Sequence, residues 1–159
     1  MKLNWKKWIS LCAISLIFLF ACSGFKSSDK LTVSMIHDRV IFGKTTVGDL
    51  KDMFGKETKY IGSNEAQEIY RYWNNSEGGL NYMLEDNTDY WETLRFDKKA
   101  DTFSYKEFDG CYEYSGDNLS VKSVYFFVID SKVYDIKFNG SITDESVAKK
   151  DKYLRQILD

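Results

Sequence analysis

The chain carries few residues whose type and spacing point to chemistry, and Cys22 is foremost among them. It follows Ala21 directly, at the end of an apolar run from Ile9 to Ala21, with Lys2, Lys6 and Lys7 on the N-terminal side. A basic start, a short greasy core and a small residue before the cut are what a translocon and a signal peptidase read. The run falls short of the roughly 20 apolar residues a comfortable membrane span requires. It therefore reads as a cleaved signal over residues 1–21, with Cys22 as the first mature residue.

The tetrapeptide Leu19-Phe20-Ala21-Cys22 resembles the lipobox of bacterial lipoproteins. That resemblance implies cleavage between Ala21 and Cys22, diacylation of the Cys22 sulfur and often a further acyl group, such as palmitate, on the new N-terminus. Each buried CH₂ contributes about 0.8 kcal/mol, so two or more chains hold a protein on a bilayer where one holds it only marginally. The expected partner is thus the membrane itself, through lipid on Cys22. Ser23 rather than Asp after the cysteine resembles the signal for the periplasmic face of the outer membrane in a Gram-negative cell; in a Gram-positive cell the same anchor stays on the plasma membrane.

The remaining chemistry-bearing groups point in weaker directions. His37 is the single histidine, so zinc chemistry lacks a second imidazole and any Ser-His-Asp triad would need this one residue. The acidic stretch from Glu85 to Glu92 lacks the D-x-[DN]-x-[DN]-G alternation of a calcium loop and reads as a solvated connection. Gly78-Gly79-Leu80 lacks the Gly-Lys-Ser/Thr ending of a phosphate loop and reads as a turn. No catalytic residue, metal or cofactor is assigned, and the chain is expected not to be an enzyme. Eleven tyrosines suit strands as well as binding surfaces. Tyr90 with Trp91, and Tyr112 with Tyr114, are the candidate partner-contact residues.

Charge and cysteine usage narrow the setting. The formal charge is −2, and the three basic residues of the leader are lost with it while all 24 acidic residues remain, so the mature surface is acidic and nucleic acid is not an expected partner. With Cys12 in the leader and Cys22 lipidated, Cys111 has no intramolecular partner; it is expected to be buried among Phe108, Tyr112 and Tyr114, with an intermolecular disulfide as the alternative. Proline is absent, which leaves Gly, Asn and Asp to make the bends.

These residues need a scaffold. Residues 22–30 are small and polar and read as a tether; residues 31–159 suit one domain. Thr46 with Asp49 forms a capping box for a helix over 46–54 whose apolar face is Val47, Leu50 and Phe54, with Gly55 as its stop. Downstream, aromatic and β-branched runs predict strands at Ala66–Trp73, Leu80–Leu84, Tyr90–Phe96, Thr102–Phe108, Val121–Ile129 and Lys132–Phe138. Val121–Ile129 is apolar on both faces, as a central strand is, and pairs with Lys132–Phe138 through Asp130-Ser131. Tyr134, Ile136 and Phe138 are expected on one face of that second strand, near an edge. A C-terminal helix capped by Thr143, stapled by Ile142 and Val147, should bury Val147, Leu154, Ile157 and Leu158. The fold class is α+β: an antiparallel sheet with a short N-terminal and a C-terminal helix.

The segment from Val40 to Leu50, ending Met53-Phe54-Gly55, resembles the signature I-x-x-G-x-T-x-x-x-V-x-x-x-x-G-x-P of the small BamE (SmpA/OmlA) outer-membrane lipoproteins, whose fold is shared with β-lactamase inhibitor proteins. Tyr70-Arg71-Tyr72-Trp73 and Leu94-Arg95-Phe96-Asp97 fall where that family has its first sheet strands. The resemblance spans Val40 to Asp97, and Lys56-Glu57 stands where the family has its Gly-x-Pro ending. It implies a lipid-anchored, non-enzymatic module of the cell envelope that contacts another envelope protein in an assembly. Two other functions remain open: a ligand-binding or enzyme-inhibitor module using an aromatic sheet face, and a hydrolase using carboxylates.

Overall fold

The computed structural model describes residues 31–97 and 103–158. The expected leader, Ala21–Cys22 cleavage site, lipidation site and tether lie outside them. The described residues fold as α+β, with five α-helices, a four-stranded antiparallel sheet and a two-stranded parallel pair.

Helix α1, Val33–Arg39, opens the domain, where the sequence suggests none. Its signal is present: Thr32 accepts the Met35 N–H at 3.1 Å, and Val33, Ile36, His37 and Val40 recur at helical spacing. A short strand β1, Ile41–Phe42, leads through Gly43, at φ 76°, to helix α2, Val47–Phe54. The predicted capping box is formed, with Thr46 Oγ1 accepting from Asp49 N at 3.1 Å and Asp49 Oδ2 accepting from Thr46 N at 2.8 Å.

The next elements depart from expectation. Strand β2, Lys59–Gly62, was unforeseen, and the predicted strand Ala66–Trp73 lies in helix α3, Ser63–Asn74. Ala66, Ile69, Tyr70 and Trp73 recur at i, i+3, i+4 and i+7, which places them on one helix face while Tyr72, 64% exposed, points away. Leu80–Leu84 likewise lies in helix α4, Gly79–Asn87, which buries Leu80 and Leu84 one turn apart. Of Tyr90–Phe96, only Arg95–Phe96 is extended, as strand β3, paired parallel to β1. The described part of Thr102–Phe108 is a single 3₁₀ turn, Tyr105–Glu107, capped by Ser104. The positions that the BamE resemblance would place in strands are thus a helix at Tyr70–Trp73 and a two-residue strand at Arg95–Phe96.

The main sheet is built from β2, β4 (Gly110–Tyr114), β5 (Ser123–Ile129) and β6 (Lys132–Asn139), in that order. The central position of β5 and the β5–β6 hairpin are as the apolar pattern predicts. The hairpin turns at Asp130 and Ser131, both at positive φ (49° and 60°), the backbone of a type I′ turn. Gly110 faces Gly62 across the β2–β4 pair, where an added Cβ would stand 2.6 Å from the Ile61 carbonyl oxygen; only glycine fits.

One irregularity in β6 changes its faces. Phe127 pairs with Asp135 but Val128 pairs with Val133, so Tyr134 is an extra residue, a β-bulge. Val133, rather than Tyr134, joins Ile136 and Phe138 on the inner face, and Tyr134 turns outward with Asp135 and Lys137. The strand edge beyond is closed by protein. Gly43 N–H donates to Val133 O at 2.7 Å and Val133 N–H to Thr45 O at 2.9 Å. Farther along, the Asn81 amide mimics a strand, accepting Phe138 N–H and donating to Phe138 O, both at 2.8 Å.

Two apolar clusters lie on opposite sides of the sheet. The larger combines Val124, Phe126, Val128, Val133, Ile136 and Phe138 with α1, α2, α4 and the C-terminal segment. The smaller sets Ile61, Cys111, Tyr125 and Phe127 against Phe108 and Ala66 of α3. The C-terminal helix is shorter than predicted: Asp144, not Thr143, caps α5, Glu145–Ala148, while Thr143 bonds to Ser120 O. A new turn then starts at Asp151, whose Oδ1 accepts from Tyr153 N at 2.9 Å and Leu154 N at 3.2 Å. Leu154 is buried, whereas Val147, Ile157 and Leu158 are half-buried. No helix among the described residues is long and apolar enough to cross a membrane.

An aromatic cleft as candidate functional site

Where α3, α4 and the outward face of β6 meet, they leave a cleft of about 470 Å³. Helix α3 contributes Tyr70 and Trp73 because its apolar stripe continues past the sheet, and α4 contributes Tyr82 and Glu85 from the side opposite Leu80 and Leu84. Trp91 joins from the turn after α4, held by its indole N–H on Asn81 O at 3.2 Å. Phe42 and Phe96, stacked at 5.2 Å, close one end. Strand β6 supplies Tyr134, from its bulge, with Asp135 and Lys137 from its regular part.

Asp135 and Lys137 are the charged pair of this cleft's sheet wall. Their side chains are only 20% and 15% exposed, and Lys137 Nζ stands 3.8 Å from Asp135 Oδ2, longer than a hydrogen bond. The ammonium lies over two rings, 5.2 Å from the Tyr70 centroid and 5.5 Å from that of Trp91. Among the described residues it donates no hydrogen bond to a protein acceptor. Asp135 Oδ1 accepts Ile136 N–H at 2.6 Å. Burial pushes the Asp135 carboxyl above its ordinary value, although Lys137, the Tyr70 hydroxyl and the Ile136 N–H pull the other way. Burial, reinforced by the Asp135 charge, also raises the Tyr70 phenol.

The sign of the Asp135 shift gives a test. A carboxyl whose folded-state pKa is raised favours folding while protonated, and that advantage is lost as pH rises from its ordinary 3.8 through the raised folded value. Asp135→Asn mimics the protonated form. Thermal melts should therefore show the two proteins together near pH 4 and the variant more stable at about pH 7. A wild type that melts above Asp135→Asn at neutral pH would contradict the assignment.

The residues singled out by sequence scatter across the fold. Tyr90 and Tyr114 are interior, at 0% and 1% exposure, and cannot meet a partner. Tyr90 packs against the rings of His37, Trp91, Phe138 and Tyr153, and Tyr114 alternates inward on β4 against Phe54 and Phe126. Trp91 is half-buried in the cleft. Tyr112 is half-buried on the far side of the sheet, its ring 5.0 Å from that of exposed Tyr60. Cys111 is a free, buried thiol whose pKa burial pushes up to about 12, so it stays protonated and unreactive at neutral pH.

His37 is a structural tie rather than a ligand-facing group. Its Nδ1 is 2.9 Å from Asp38 Oδ1, and its Nε2 is 2.9 Å from both Thr93 Oγ1 and the Tyr153 hydroxyl. Thr93 also donates to Asp89 O at 2.7 Å, which fixes the turn after α4. The stretch from Glu85 to Glu92 is the end of α4 and that turn; among the described residues no group of three His, Cys, Asp or Glu side chains is placed to hold a metal ion. Gly78 and Gly79, at φ 121° and 71°, form the entry to α4.

Sequence reasoning missed Tyr70, Trp73, Tyr82, Asp135 and Lys137. The helical spacing of Ala66, Ile69, Tyr70 and Trp73 was the available signal for the first two. Comparison with protein-family models, curated proteins and solved structures returns no match for this chain. The fold and cleft alone define its class, an α+β domain with a concave aromatic site.

Proposed function

We propose that this chain is a lipid-anchored protein of the cell envelope whose domain captures a small ligand in the aromatic cleft, without catalysis. The observation that carries the reading is the cleft's shape and chemistry. Ligand sites are concave and largely apolar, with a few placed polar groups. A cleft lined by Tyr70, Trp73, Trp91 and Tyr134 around Asp135 and Lys137 has that character. A protein-assembly role calls for a flat exposed patch, and burial of Tyr90 and Tyr114 removes half of the expected one. Native mass spectrometry of the full chain purified from its own envelope should find a bound small molecule that is lost with Trp91→Ala. An empty protein, or retention of the same ligand by that variant, counts against the proposal.

Anchoring rests on Cys22. Cys22→Ser should lose both fatty-acid labelling and membrane association, because no other thiol of the mature chain is accessible for acylation: Cys111 is buried. Unchanged labelling and sedimentation with membranes would refute it.

The hydrolase reading is favoured by one observation: Asp135, with its raised carboxyl, shares the cleft with Glu85. Turnover of a glycoside or ester substrate that disappears in Asp135→Asn would favour this second reading over simple capture.

A further inference from the structure

The charge pattern of the cleft selects among ligand classes. An anionic ligand would have to approach Glu85 and Asp135. A cationic one would meet the Lys137 ammonium, which lies over the rings of Tyr70 and Trp91 at 5.2 and 5.5 Å. A purely apolar one would seal Lys137 and Asp135 from water without offering either a hydrogen-bond partner, which is unfavourable for a buried polar group.

A neutral ring bearing hydroxyls meets all three conditions. The Lys137 ammonium is donor-only and the ionised Asp135 carboxylate acceptor-only, and they stand side by side, 3.8 Å apart. A hydroxyl both donates and accepts, so two neighbouring hydroxyls can take one group each. The C–H faces of the same ring then have Trp73 and Tyr82 to lie against, and Tyr82 is 45% exposed.

We infer that the ligand class of this cleft is a neutral saccharide, its ring stacked on the aromatic walls and adjacent hydroxyls shared between Lys137 and Asp135; this rests on the ligand-capture reading above. The test uses the mature protein beginning at Cys22, whose two tryptophans, Trp73 and Trp91, both line the cleft. Neutral trisaccharides of glucose, galactose, mannose and N-acetylglucosamine are titrated while tryptophan fluorescence is followed, beside choline, glucuronate and naphthol.

At least one neutral saccharide should change the emission saturably. Lys137→Met should weaken it about tenfold or more, as loss of a central polar contact does. Tyr82→Ala, at a position the fold does not bury, should weaken it as well and guards against a Lys137 variant that merely unfolds. Binding of choline, glucuronate or naphthol with no response to any neutral saccharide overturns the saccharide assignment and leaves ligand capture standing. No response to any probe overturns both.

Discussion

Phe127→Ala should cost the domain about 4 kcal/mol, the magnitude expected for emptying a fully buried phenylalanine site. Phe127 is entirely buried on β5, with ring centroids of Phe108, Tyr70 and Tyr125 at 5.1, 5.2 and 6.4 Å. The cluster around it is the smaller of the two, so few neighbours can collapse into the void. The effect should also reach the cleft, because Tyr70 leans edge-on against Phe127 and lines the cleft beneath the Lys137 ammonium. Phe126→Ala is the matched control: it is equally buried on the same strand but faces Phe54 and Tyr114 on the opposite side. Denaturant titration should show comparable losses for the two. Ligand affinity, measured where both remain folded, should fall only for Phe127→Ala. Equal affinities, or a loss below about 1 kcal/mol at Phe127, would contradict this account of how the sheet supports the cleft.

Asp151→Ala is the second large effect, expected at about 3 kcal/mol because it strips a buried carboxylate of four hydrogen bonds and leaves their donors unpaired. Asp151 is 5% exposed. Its Oδ2 accepts from Ser34 N at 2.8 Å and Ser34 Oγ at 2.7 Å, and its Oδ1 from Tyr153 N at 2.9 Å and Leu154 N at 3.2 Å. One side chain thus satisfies the first turn of α1 and restarts the C-terminal turn, joining the two ends of the domain. Asp151→Asn keeps an acceptor on one side only and turns an NH₂ toward donors on the other, so it should recover only part of the loss. Hydrogen exchange reads the mechanism: the amides of Ser34, Tyr153 and Leu154 should lose protection ahead of those in β5. Unchanged protection at these three would show that the ties are dispensable.

Legibility in the sequence followed the range of the forces involved. The α2 capping box, the two-sided apolar strand β5 and the hairpin to β6 are local, each written within about ten residues, and all three are present. Helix α3 went unread because Tyr70, Tyr72 and Trp73 are strand-prone residues, yet a helix gathers Ala66, Ile69, Tyr70 and Trp73 on one face against the sheet, where alternation would set Tyr70 and Tyr72 beside Glu68. The stop after Ala148 was hidden because Asp151 acts through Ser34, far away in the chain. The cleft was the least legible feature. It depends on a one-residue bulge that turns Tyr134 outward beside Asp135 and Lys137, which regular alternation with Ile136 and Phe138 already sets on that face, and no local pattern announces a bulge. Tyr90 and Trp91 show the same limit at neighbouring positions: one residue is sealed against His37 and Tyr153 and the next opens on the cleft.

The domain therefore holds its working surface on irregular ground. A bulged strand closed by Asn81, a helix with aromatic residues beyond its core stripe and a turn tied down by His37 and Thr93 meet around one ion pair. Fluorine NMR of the mature protein, beginning at Cys22 and labelled with fluorotryptophan, tests the central claim most directly, because its two tryptophans, Trp73 and Trp91, both line the cleft. On addition of a small-molecule extract of the cell envelope, the Trp73 and Trp91 resonances should shift together and saturate. Stationary Trp73 and Trp91 signals would contradict ligand capture in the cleft.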